Sequence, residues 1–384
     1  MRPETTERAD SAEIEATSLA TDAGNDWEFA LDQRLDSLHR WQLIAFLLLI
    51  LGIVAGFLLT LAWGSVNIPL DQTVRILIGK EPSSPAWETI VLRLRLPRAI
   101  AAIVAGAGLG VSGLQMQTLF RNALADPYIL GISSGATLGV GLVVLSAGPT
   151  SVGLVLGSGN WRSASVVVAA ALGAGVVMVL MLLIASRIRN SVILLVVGVM
   201  VGSFVSAFVS LMIFFSTPES IRSFATWGFG SFQAVQENQI PMMVSIVFVG
   251  VGIALVSTKQ LNALLLGEAH AQSLGVSIRR ARLIVMISAS IIAGTITAFC
   301  GPIAFLGIAV PHLARGLFRT ANHRVLMPAV ILLGALSALI CGIFAELPGH
   351  DTILPLNAAT ALLGAPIVLW VLLKLGRTSS EFAV

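Results

Sequence analysis

The stretch Arg98-Ala-Ile-Ala-Ala-Ile-Val-Ala-Gly-Ala-Gly-Leu-Gly-Val-Ser-Gly-Leu-Gln-Met-Gln-Thr118 decides the fold. It carries no charge after Arg98 and is long enough to cross a hydrocarbon core of roughly 30 Å, which takes about 20 helical residues. Arginines flank it, with Arg93, Arg95 and Arg98 at one end and Arg121 beyond the other. Gly106, Gly108 and Gly110 approach a dinucleotide-binding fingerprint, but the third glycine falls one position early and no strand precedes the run. Close packing against a neighbouring helix is the reading these small residues support.

Comparable runs recur at 41–63, 128–147, 164–186, 192–214, 240–257, 283–300, 326–346 and 355–375. A shorter piece, 302–318, follows the Gly301-Pro302 break and is expected to break again at Pro311. Together they predict an all-α polytopic membrane protein with ten spans. The composition agrees: 56% of the 384 residues are hydrophobic and 11% charged, too little polar surface to wet a soluble fold of this size.

Residues 1–40 stand apart. Ten acids against four Lys or Arg make the segment strongly acidic, and it lacks the basic start and apolar core of a secretion signal. We read 1–40 as a disordered cytoplasmic tail, 41–376 as one membrane domain and 377–384 as a short cytoplasmic C-terminal tail. Without the tail the body is net +9, but its basic residues lie in the connections between apolar runs. That is the pattern of membrane topology, and nucleic acid is excluded as a partner.

An even number of spans puts both termini on one side. Twelve Lys or Arg, from Arg121 to Arg377, fall on that side and mark it as cytoplasmic, against seven outside. Three of those seven, Arg93, Arg95 and Arg98, cluster against the rule and need a separate reason.

The chemistry-bearing motifs are few. No Gly-x-x-x-x-Gly-Lys-Ser/Thr run is present, so the chain has no phosphate cradle for ATP. Cys300 and Cys341 show neither metal-ligand nor redox spacing, and no catalytic or metal site is expected. Ion-driven carriers need ionisable side chains near mid-membrane, and apart from Glu346 at a span edge none is found. Energy is then expected from elsewhere, and the longest inner connection, Lys259 to Arg282, is the place for a motor to touch. Glu268 suits the positive end of a helix and Gly275 a left-handed terminator, which predicts a short helix over 268–274. An ordinary interfacial loop is the alternative. In the fifth span Gly198, Gly202, Ser206 and Ser210 recur every four residues and line one face, which can pack or border a path.

Five blocks carry a resemblance. They are Arg95-Leu-Pro-Arg98; Arg121-Asn-Ala-Leu-Ala-Asp-Pro-Tyr-Ile-Leu-Gly131 with Ser133-Ser-Gly-Ala136; Gly267 to Gly275; Gly301-Pro-Ile-Ala-Phe-Leu-Gly307 leading to Pro311-His-Leu-Ala-Arg315; and Leu363-Gly-Ala-Pro366. In this order, over about Arg93 to Lys374, the chain resembles the FecCD family, the permease subunits of type II ATP-binding-cassette importers for iron-siderophores, haem and cobalamin.

The resemblance implies a cobalamin-importer-permease-like homodimer in a bacterial inner membrane around a central path. It would be served by two ATPase subunits that hold ATP and Mg, and by a periplasmic or lipid-anchored substrate-binding protein. The chain itself would hold no cofactor and would not be an enzyme. An iron-siderophore is the first expectation for the cargo, with cobalamin or haem as alternatives; an ion-coupled secondary transporter is the alternative of another class.

By the same resemblance Gly267, Glu268, Ala269, His270, Ala271, Gln272, Ser273, Leu274 and Gly275 look like the helix that docks on the ATPase. Arg95 and Arg98 match positions that meet acidic groups of the binding protein, and Arg93 either joins them or anchors a helix end. The Gly198, Gly202, Ser206 and Ser210 face would line the path at the dimer interface, and Asn190 and Ser191 would narrow its cytoplasmic exit. Two departures stand out: Glu346 lies where the family usually carries an arginine, and Asn357 replaces the usual glycine opening the last helix.

Overall fold

The computed structural model describes residues 37–145, 160–188, 191–346 and 354–380. Asn190, His350, Asp351 and most of the acidic tail lie outside them. The chain divides after Leu48: the first unit's described residues are the opening turns of α1 (Ser37–Ala62), and the second unit holds everything that follows.

In chain order come α2 (Leu70–Leu77), α3 (Pro85–Phe120), α4 (Ile132–Val144), α5 (Asn160–Arg187), α6 (Ser191–Phe214) and α7 (Pro218–Gly228). Then follow α8 (Ile240–Val256), α9 (Thr258–Leu265), α10 (Glu268–Ser273), α11 (Ile278–Cys300), α12 (Leu306–Phe318), α13 (His323–Glu346) and α14 (Leu356–Ser380). Among the described residues seven helices are long and apolar enough to cross a membrane, and α4, α12 and the apolar part of α14 are shorter. These coincide with the ten apolar runs of the sequence.

The run that opened the sequence reading is the hub. From Leu96 onward α3 is mostly buried, and its glycines are where other helices reach it. A Cβ on Gly106 would lie 2.1 Å from the Gly334 carbonyl oxygen of α13, and one on Gly113 would lie 1.8 Å from the Gly307 carbonyl oxygen of α12. No side chain fits at either crossing. The small residues are thus contact points between backbones, as membrane helices use them.

The second crossing also explains why the expected break at Pro311 does not occur. Proline has no amide to give the carbonyl four residues earlier, here Gly307. That carbonyl is the one lying against Gly113, so the defect falls where α3 covers it and α12 continues through Pro311.

The break before α12 is real. Gly301 (φ +73°) turns the chain, and a Cβ there would be 2.5 Å from the Trp227 carbonyl oxygen. Asn357, at the start of α14, holds the turn together. Its amide nitrogen donates to the Gly228 and Pro302 carbonyls at 3.1 and 2.9 Å, and its Oδ1 accepts the Ala304 amide at 2.9 Å. A glycine at 357 could not make these bonds.

Candidate functional site

On the arginine-rich end, α10 forms where the residues dictate. Gly267 enters it at φ +103° and Gly275 leaves it at φ +82°. At its end the Val276 amide donates to the Ala271 carbonyl and the Gly275 amide to the Gln272 carbonyl, both at 2.9 Å. This paired left-handed terminator stops the helix after six residues.

One α10 residue is buried: Ala271 packs against Ala263, Leu264 and Ala281. Ala269, His270, Gln272, Ser273 and Leu274 are exposed. Glu268 pairs with Arg282 of α11 at 3.0 Å, and Arg282 also donates to the Ile188 carbonyl, just past α5, at 3.1 Å. Arg282 is 5% exposed and Glu268 46%, so a buried cation ties an exposed helix to two membrane helices.

The opposite end keeps its arginines in three states. Arg93 is exposed, Arg95 is buried and Arg98 is half-buried. A π-helical stretch, Ile90–Arg95, inserts extra residues per turn just before the span and ends on Arg95.

Arg95 donates to the carbonyls of Leu61 at 2.8 Å and Ala62 at 2.9 Å, and to that of Val66. It therefore caps the negative end of α1. Gly64 leaves the room, since a Cβ there would lie 2.7 Å from the guanidinium. The expectation that Arg95 faces a partner is corrected: it is 3% exposed and its three hydrogen bonds go to carbonyls of its own chain. Arg98 is paired with Glu346, whose place at the end of α13 brings it across from the start of α3. Behind the pair lies a cleft of about 380 Å³ lined by Phe229, Phe232, Gln233 and Pro355 among others.

The stripe on α6 divides. Gly198 is buried, with the Ile129 carbonyl oxygen 2.3 Å from where its Cβ would be, and a Cβ on half-buried Gly202 would lie 3.3 Å from the Ser134 hydroxyl. Ser206 and Ser210 are exposed, beside exposed Phe204, Phe208 and Leu211. Gly198 packs within the chain, Gly202 is half-buried, and the two serines are exposed. Ser191 opens α6.

The sequence model of the FecCD transport family matches residues 49–374. The chain belongs to that family. It is 36% identical to the vitamin B12 import system permease protein BtuC of Escherichia coli O6:H1 (strain CFT073) over 77% of this chain and 86% of the relative. The same figures hold for BtuC of Shigella sonnei (strain Ss046). Among solved structures it is similar, with a TM-score of 0.73 and 27% identity, to an inward-facing chain described as a metal-chelate type ABC transporter. The match covers 86% of this chain and 98% of that one.

Within this FecCD permease, Arg315 braces α12 to α3 and His312 braces it to the connection that follows α3. The His312 ring contacts the Ala123 carbonyl at 2.7 Å, and Arg315 donates to Gln117 Oε1 at 2.6 Å. Asp126, in the connection after α3, accepts the Tyr128 amide at 2.8 Å; burial pushes its carboxyl up to about 6 while that amide pulls it down. Sequence reasoning missed the junction at Arg282. Its only sequence signal is an opposite charge, Glu268, in the same connection.

Proposed function

We propose that this permease is the membrane subunit of an ATP-driven importer for a metal chelate, and that ATPase subunits grip α10. The carrying observation is the form of α10: an exposed helix, seated on one alanine and tied through Glu268 and Arg282 to α11 and the end of α5. Force applied to its free face has a short route into the membrane helices. The ATP and Mg belong to the partner, since the chain carries no phosphate cradle.

In this reading two copies enclose the path, with Ser206 and Ser210 facing it and Asn190 and Ser191 at its inner exit. A substrate-binding protein docks outside on Arg93 and on Arg98, once the latter is drawn from Glu346. Exposed ion pairs are worth about 0–1 kcal/mol each, so such contacts orient a transient complex. Both termini lie in the cytoplasm of a bacterium whose inner membrane holds the complex. For the cargo, the names of the relatives favour a corrinoid over the iron-siderophore that the family resemblance put first.

The test is reconstitution. Proteoliposomes holding the permease, its ATPase and its binding protein should take up labelled cobalamin with ATP, stop with vanadate and tolerate an uncoupler. Competition by a ferric siderophore instead of cobalamin would move the cargo to the second reading. Uptake without the ATPase that collapses with an uncoupler would make the chain a secondary transporter.

A further inference from the structure

A second cleft, of about 380 Å³, opens on the same arginine-rich end, between the close of α8 and the start of α13. Lys259 and Arg324 line it, both exposed, and among the described residues neither enters an ion pair. Its apolar wall is Leu255 and Val256, 47% and 81% exposed, with buried Met327, and buried Thr258 and His323 complete the lining. No carboxylate is among its lining residues.

The two cations stand on a braced frame. Asn262, one turn after Lys259 on α9, donates to Asn322 Oδ1 at 2.9 Å and accepts the His323 amide at 2.9 Å. Asn322 Oδ1 in turn accepts the Arg324 amide at 3.0 Å, and the His323 ring contacts the Thr118 hydroxyl of α3 at 2.8 Å. The corner that carries both charges is thus fastened to the hub helix, unlike the free loops that usually bear interfacial lysines.

From the geometry we infer that this cleft binds the phosphate of an anionic phospholipid. Two unpaired cations fit a phosphate group. The apolar wall fits what is attached to it, because Val256 closes a span whose outer face, through Phe248 at 75% exposure, continues away from the cleft along the membrane. A free phosphate has no use for that wall, and neither has an acidic side chain of a soluble partner.

The purified full-length chain in neutral detergent tests this without transport or partners, so its outcome is independent of the importer reading. Binding of phosphatidylglycerol, phosphatidylcholine and inorganic phosphate would be followed by native mass spectrometry and thermal shift. Phosphatidylglycerol should bind and stabilise, and phosphatidylcholine should not. At about 1 kcal/mol per cation, the Lys259→Gln/Arg324→Gln variant should raise the apparent Kd about thirtyfold. Arg279→Gln/Arg280→Gln, which removes two exposed cations outside the cleft, should leave it nearly unchanged. Equal loss in both variants, no loss in the first, or displacement of the lipid by millimolar inorganic phosphate would each overturn the assignment.

Discussion

Two arginine–glutamate pairs sit at opposite ends of this permease, and they are built differently. At the α10 end Arg282 is buried while Glu268 is half in solvent, with side-chain exposures of 5% and 46%. At the other end both partners are shielded, Arg98 at 18% and Glu346 at 11%. A glutamate left in water is cheap to release, whereas one enclosed with its arginine is held by the cost of stranding either charge. The first arrangement suits a joint that must respond to a partner, and the second suits a clasp between α3 and α13 that opens only against competition.

The comparison can be broken in order of effect. Arg95→Ala, beside the clasp, should cost most: it strands the carbonyls at the end of α1 that Arg95 caps and should lower stability by about 3 kcal/mol in detergent denaturation. A loss below about 1 kcal/mol would mean that Arg95 is free to face a partner after all. Glu346→Gln should cost about 2 kcal/mol, because the shielded arginine loses its counter-charge. The same change should tighten binding of an acidic partner to the Arg98 end, measurable by surface plasmon resonance; weaker binding would turn Glu346 into a contact in its own right. Glu268→Gln should cost least in stability, about 0.5 kcal/mol, since half-exposed pairs are screened by solvent. Its effect should appear instead as ATP hydrolysis that yields less uptake per turnover, and unchanged coupling would count against the joint.

The same two ends show how much was legible in the residues. The short helix could be read because capping is local: Glu268 and Gly275 lie within one stretch of chain and specify its start and stop. The membrane helices were legible for the same reason, through uninterrupted apolar length, seven of them long enough to cross a membrane among the described residues. Arg95 was not legible. It ends the π-helical stretch Ile90–Arg95, and the carbonyls it caps lie about thirty residues earlier in the chain. The α6 stripe fell between these cases: period four is visible in the residues, but the burial of Gly198 comes from the Pro127–Leu130 turn, which packs beside it and lies far away in the sequence. Pro311 misled because its missing bond is covered by another helix.

The central claim, that a motor acts through the free face of α10, is tested most directly with Ala269→Arg/Ser273→Arg. Both positions are exposed, so the permease should fold with an unchanged Tm. Uptake in proteoliposomes with ATPase and binding protein would be measured beside ATP hydrolysis. The account predicts that uptake falls at least about tenfold, the equivalent of about 1.4 kcal/mol of lost coupling, while the variant permease remains intact. Uptake equal to that of the unmodified chain would show that the motor does not act on this helix.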